Sequence, residues 1–131
     1  MGAFDMITIA GTGLGMHQTW LDALSHNIAN VSTARPTDQA AFQARFVMAQ
    51  ANPGGGVRVS GTALGDPEGR MVHDPTNPLA DEDGYVRMPD IDLGREMTQL
   101  IMAQRGFQAQ AAVLRNAQDV YASALSIGRS A

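Results

Sequence analysis

From Met6 to Ile28 the larger apolar residues recur at Met6, Ile9, Met16, Trp20, Leu24 and Ile28, and the small residues Ala10, Gly13 and Ala23 complete the same stripe. Steps of three and four predict a helix with one apolar face. A second stretch, from Leu93 to Ile127, contains no proline and repeats in the same way at Met97, Leu100, Phe107, Ala111, Leu114, Tyr121 and Leu125. Gln104 and Gln118 hold the intervening positions of what is close to a heptad. That pattern predicts about 35 residues of helix, roughly 50 Å at 1.5 Å per residue.

Between these stretches, from Ser32 to Asp92, the texture changes. All six prolines lie here, together with the turn-forming run "NPGGG" at Asn52 to Gly56 and the short alternating runs "GVRVS" and "GRMVHD". The run "GYVRMP", Gly84 to Pro89, is another strand candidate, with Tyr85 and Arg87 on one face and Val86 and Met88 on the other. Two or three hairpin strands and loops are predicted. The fold class that follows is mainly α with a small β region: an N-terminal helix over 1–31, a central Pro/Gly-rich hairpin and loop segment over 32–92, and a C-terminal helix over 93–131. The two helices form an antiparallel, coiled-coil-like pair. A lone pair gains too little apolar burial to offset the backbone entropy of ordering about 60 residues at roughly 1–2 kcal/mol each. The missing burial is expected from other subunits.

The stretch "LSHNIANVST", Leu24 to Thr33, places amides at Asn27 and Asn30 where the first apolar stripe stops. Asparagine competes locally for backbone hydrogen bonds and tolerates the left-handed conformation, so a helix end is expected here.

Composition narrows the chemistry. The net charge is −4 and the nine cationic residues are arginines scattered singly, so the electrostatic footprint of a nucleic-acid partner is missing. With no cysteine there is no thiolate nucleophile and no thiolate metal site. The first residues include Asp5 and no early Lys or Arg, unlike a cleaved secretory signal, and no apolar run of about 18 residues occurs that would insert into a membrane.

The glycines Gly11, Gly13 and Gly15 resemble a dinucleotide turn but lack the third glycine of GxGxxG and a following strand that ends in an acid. A nucleotide module using Gly11–Gly15 is the weaker alternative to a helix in which each glycine costs about 1 kcal/mol relative to alanine. Such a helix makes sense where a neighbour must come close. His17, His26 and His73 have no metal-ligand spacing, and His26 is read as a polar contact at the helix end. "DPTNPLADEDG", Asp74 to Gly84, fails the calcium-loop template and is read as consecutive turns closing at Asp83-Gly84. Ser25 and Ser60 have no base and orienting acid near them in sequence. No enzyme activity and no cofactor is expected.

The residues Ser25, Asn27, Ile28, Ala29 and Asn30 resemble the N-terminal signature of bacterial flagellar axial proteins, the rod, hook and hook-associated subunits. His26 stands where that family commonly has another Asn. The span Asn77 to Ala117 is similar to the C-terminal half of proximal rod subunits: Asn77-Pro78, Ala80-Asp81, Gly84-Tyr85-Val86, Pro89, Glu96-Met97, Arg105, Phe107 and Ala109 carry the likeness, with departures at Asp90, Phe107 and Gln110.

The resemblance covers nearly the whole chain. It implies a structural subunit that polymerises into the rod of the flagellar basal body, a drive shaft crossing the periplasm. It also implies export through the flagellar type III apparatus without a cleaved signal. Implied partners are other copies of the chain, other proximal rod proteins and rod-base adaptor subunits. The expected subunit interface comprises Ile9, Gly13, Met16, Trp20, Leu24, Asn27, Ile28, Asn30, Met97, Leu100, Phe107, Ala111, Leu114, Tyr121 and Leu125. Asn77, Pro78, Asp81, Gly84, Tyr85 and Pro89 are expected to make contacts of the central segment. Another axial protein of the rod or hook-associated type is the alternative.

Overall fold

The computed structural model describes residues 2–130. Two long helices enclose four short strands in the order α1 (Ala3–Ala29), β1 (Arg45–Ala51), β2 (Val57–Leu64), β3 (Arg70–His73), β4 (Tyr85–Met88) and α2 (Leu93–Ser130). The fold class read from the sequence is the observed one.

Helix α1 opens where the Gly2 N–H donates to the Asp5 carboxylate at 3.0 Å. Helix α2 opens at Asp92, whose carboxylate accepts the Arg95 N–H at 2.9 Å and whose carbonyl accepts the Glu96 N–H at 3.0 Å. An acidic side chain at this position answers donors that the first helical turn leaves free.

The helices pair antiparallel in a constant register. Asn27 meets Glu96, His17 meets Gly106, and Gly13 meets Gln110, so each step back along α1 matches an equal step forward along α2. Two glycines serve as reciprocal notches. Gln110 lies where a Cβ at Gly13 would be 2.8 Å from its Cδ, and the His17 ring occupies the space a Cβ at Gly106 would need. The close approach expected of Gly13 is therefore made by a side chain of the partner helix. No strand precedes it, because Gly11–Gly15 lies within α1.

The fully buried residues of α2 are Glu96, Ala103 and Ala117. The seam therefore differs in phase from the one the large apolar residues trace. Leu100, Phe107, Ala111 and Leu114 are half-buried, whereas Met97, Gln104 and Gln118 are exposed. The inner line runs through Glu96, Ala103, Gln110 and Ala117: the two alanines are small, Gln110 sits in the notch at Gly13, and Glu96 is bonded to Asn27.

The β1–β2 hairpin lies along α1, its base at Asn27 and its tip at Ile9 and Thr12. The tip turns at Gly55 and Gly56, with φ of 97° and 83°. A bulge interrupts its register between Met48 and Ala49. Strand β1 is additional to the strands read from the sequence.

The second hairpin, β3–β4, is joined to the chain after α1 by the pair Arg35 and Arg87, whose backbones exchange two bonds of 2.9 Å. Gly69, at φ 59°, passes so close to the Met88 carbonyl and Ala41 that no side chain fits. Ala41, Ala44, Val86, Pro89 and Ile91 form the small core of this end.

Candidate functional site: a subunit surface

The two amides of the Leu24 to Thr33 stretch do different work. Asn30 closes α1: its Nδ2 donates to the His26 carbonyl at 2.9 Å and its Oδ1 accepts the Thr33 hydroxyl at 3.0 Å. Its φ is −108°, so the left-handed conformation expected of an asparagine cap is not used. The side chain itself answers a carbonyl that the last turn leaves free. The polar contact expected of the His26 side chain is not the one seen: only its backbone carbonyl takes part in the cap, and its ring packs on Phe42 with centroids 5.1 Å apart.

Asn27 points inward. It is 0% exposed, and its amide imitates a strand neighbour of β1: Oδ1 accepts the Arg45 N–H at 2.8 Å and Nδ2 donates to the Arg45 carbonyl at 3.0 Å. The same Nδ2 donates to Glu96 Oε2 at 3.1 Å. Glu96 is 2% exposed, and its place in the first turn of α2 puts its carboxylate in the favourable field of that helix end. One buried node thus joins α1, α2 and the hairpin. A helix-end reading of Asn27 misses this, because its partners lie 18 and 69 residues away.

The other positions expected at the interface divide into three groups. Gly13 and Leu24 are buried within the chain, and Ile9, Met16, Trp20, Ile28, Asn30, Leu100, Phe107, Ala111 and Leu114 are half-buried. Met97, Tyr121 and Leu125 are exposed. Every residue from Gln118 to Ser130 is exposed, and the register explains why: α1 begins at Ala3, opposite Val120, so the last ten residues of α2 run past its end. This tail carries Val120 at 59% exposure, Leu125 at 52% and Ile127 at 69%. Ile101, Met102 and Val113 add uncovered apolar surface on the outer side of α2, which the sequence reading did not single out.

In the central segment, the Asp74 to Gly84 loop is held by its own side chains. Asn77 Nδ2 donates to Asp74 at 3.2 Å and its Oδ1 accepts the Leu79 N–H at 3.0 Å. Asp81 Oδ1 accepts the N–H groups of Tyr85 at 2.8 Å and Asp83 at 3.1 Å. The Tyr85 N–H holds the Asp81 carboxyl below the usual aspartate range; partial desolvation opposes it, and Thr37, Asp83 and Gly84 reinforce it. Gly84 turns the chain at φ 80° against Pro75 and His73. The Tyr85 ring meets His73 edge-on at 5.0 Å, Pro78 is exposed and Pro89 is buried. Clefts of about 250 and 240 Å³ open beside Arg87 and His26. Among the described residues no three His, Asp or Glu side chains gather where they would hold a metal.

Residues 82–127, which contain β4 and most of α2, match the family model described as flagellar basal body rod FlgEFG protein C-terminal. Helices framing a small β region, with an uncovered tail, are thus the frame of a flagellar rod subunit. The likeness narrows over the full chain. The flagellar basal-body rod protein FlgC of Yersinia enterocolitica is 36% identical over 135 residues, spanning 98% of this chain and 100% of the relative. FlgC of Salmonella typhimurium is 32% identical over 134 residues with the same coverage, and FlgC of Borreliella burgdorferi is 32% identical over 149 residues, spanning 97% and 98%. The chain belongs to the FlgC family of flagellar basal-body rod proteins, structural components of the basal body. No described helix is long and apolar enough to cross a membrane.

Proposed function

We propose that this rod subunit builds the proximal part of the rod and polymerises through its terminal helices, so that the assembled shaft transmits torque. The 1–31 and 93–131 segments are the core helical pair, and 32–92 makes contacts further out through the Asn77 to Pro89 region. Its neighbours are copies of itself, other proximal rod proteins and rod-base adaptor subunits. The chain reaches them through the flagellar type III export apparatus without a cleaved signal.

One observation carries this reading: the apolar side chains of the α2 tail, Val120, Tyr121, Leu125 and Ile127, are left exposed by their own chain. Burying a large apolar side chain contributes about 1.5–3 kcal/mol, so a repeated contact at the tail is a strong drive to assembly. The half-buried α1 residues Ile9, Met16, Trp20 and Ile28 and the exposed Met97 extend the surface available to neighbours.

Because the chain lacks cysteine, a single Leu125→Cys reports cleanly on its surroundings. In purified basal bodies this cysteine is expected to be shielded from a water-soluble thiol reagent that labels it in the free chain. Equal labelling in both states contradicts an interface at the tail.

A further inference from the structure

We infer that Glu96 makes the docking of the β1–β2 hairpin base depend on the pairing of the two long helices. The hairpin is fastened to α1 at two places, and the fastenings differ. At the tip, Thr12 Oγ1 accepts the Val57 N–H at 3.1 Å and donates to the Ile9 carbonyl at 2.7 Å, so this contact needs only α1 and the hairpin. At the base, Asn27 holds both backbone groups of Arg45, and its Nδ2 is shared with Glu96 of α2.

A terminal amide has two faces that differ by a half-turn, and only one of them grips Arg45 correctly: oxygen toward its N–H, nitrogen toward its carbonyl. Glu96 Oε2 accepts from the amide nitrogen, so its contact adds to the orientation that the Arg45 N–H and carbonyl require and ties that grip to α2. Asn27 and Glu96 are both shut away from solvent while the helices are paired, so an apolar side chain at position 96 leaves the amide without its α2 acceptor and without water in its place. Closure of the helix pair is thus read out at the base of the hairpin and not at its tip. Glu96 is a positioning residue: it fixes the direction in which the hairpin leaves the helices. This coupling stands independently of where in the rod the subunit sits.

Amide hydrogen exchange of the full chain tests it, since the Arg45 and Val57 N–H groups report the base and the tip separately. In Glu96→Leu, which keeps bulk and removes the acceptor, Arg45 exchange is expected to accelerate about tenfold or more while Val57 changes by less than about twofold. Glu96→Met, a more adaptable apolar replacement, gives the same split, and Glu96→Gln, which retains an acceptor, keeps Arg45 within about threefold of the parent. Unchanged Arg45 exchange in the leucine and methionine variants overturns the inference. So does equal acceleration at Arg45 and Val57, which marks a general loss of stability, and so does an Arg45 amide that is unprotected in the parent chain.

Discussion

The glycines of α1 and α2 separate into those that receive a side chain and those that face open space. A Cβ at Gly11 or Gly15 meets nothing within 4 Å, whereas Gly106 lies under the His17 ring, which Nδ1 tethers to the Gly13 carbonyl at 2.8 Å. In the free chain Gly15→Ala therefore gains only the helix propensity of alanine and is expected to stabilise by roughly 1 kcal/mol. Gly106→Ala displaces the ring and its tether, and is expected to be neutral or destabilising by about 1 kcal/mol despite the same propensity gain. Chemical denaturation of the two variants checks the contrast; a Gly106→Ala chain as stable as Gly15→Ala contradicts the packing described.

Asp81 gives a pH expectation at the same scale. Its carboxyl is lowered in the fold, so its contribution to the Asp74 to Gly84 loop is fully present above the ordinary aspartate value of about 3.9 and is lost as pH falls through the folded value below it. The Tyr85 and Asp83 amide resonances should therefore hold steady through pH 5 and titrate with a midpoint under about 3.9. A midpoint at or above that value contradicts the two amide bonds to Asp81.

Among the elements, α2 has a paired part and a free part, divided where α1 begins. Removing residues 120–131 takes away about three turns whose described residues are all exposed and run past the start of α1. The truncated chain should unfold at the same denaturant concentration as the full one, still appear in the culture supernatant, and be absent from purified basal bodies. Truncated chains found in normal rods would refute a role for this tail in assembly.

Both helices were legible in the sequence because their large apolar residues recur every three or four positions. Three of the four strands were legible from alternation and flanking turn residues. Strand β1 was not, since "RFVMAQA" is exposed at six of its seven positions and carries no two-residue pattern. The phase of the α2 seam escaped for a related reason. Its innermost residues are Glu96, Ala103 and Ala117, which a search for large apolar side chains passes over. The flagellar signature around Asn27 was readable as a motif. Its physical role depends on partners in β1 and α2 that no local pattern announces.

For the whole molecule, the central claim is that a FlgC-family rod subunit leaves its apolar tail uncovered so that neighbours cover it. The most direct measurement is a cryo-EM map of a basal body containing this chain, at a resolution that shows side chains. The predicted result is Val120, Tyr121, Leu125 and Ile127 packed against adjacent subunits within the proximal rod, with the Asn27–Glu96 node intact in each copy. A map in which these four side chains face water, or in which the chain is absent from the rod, would contradict the account.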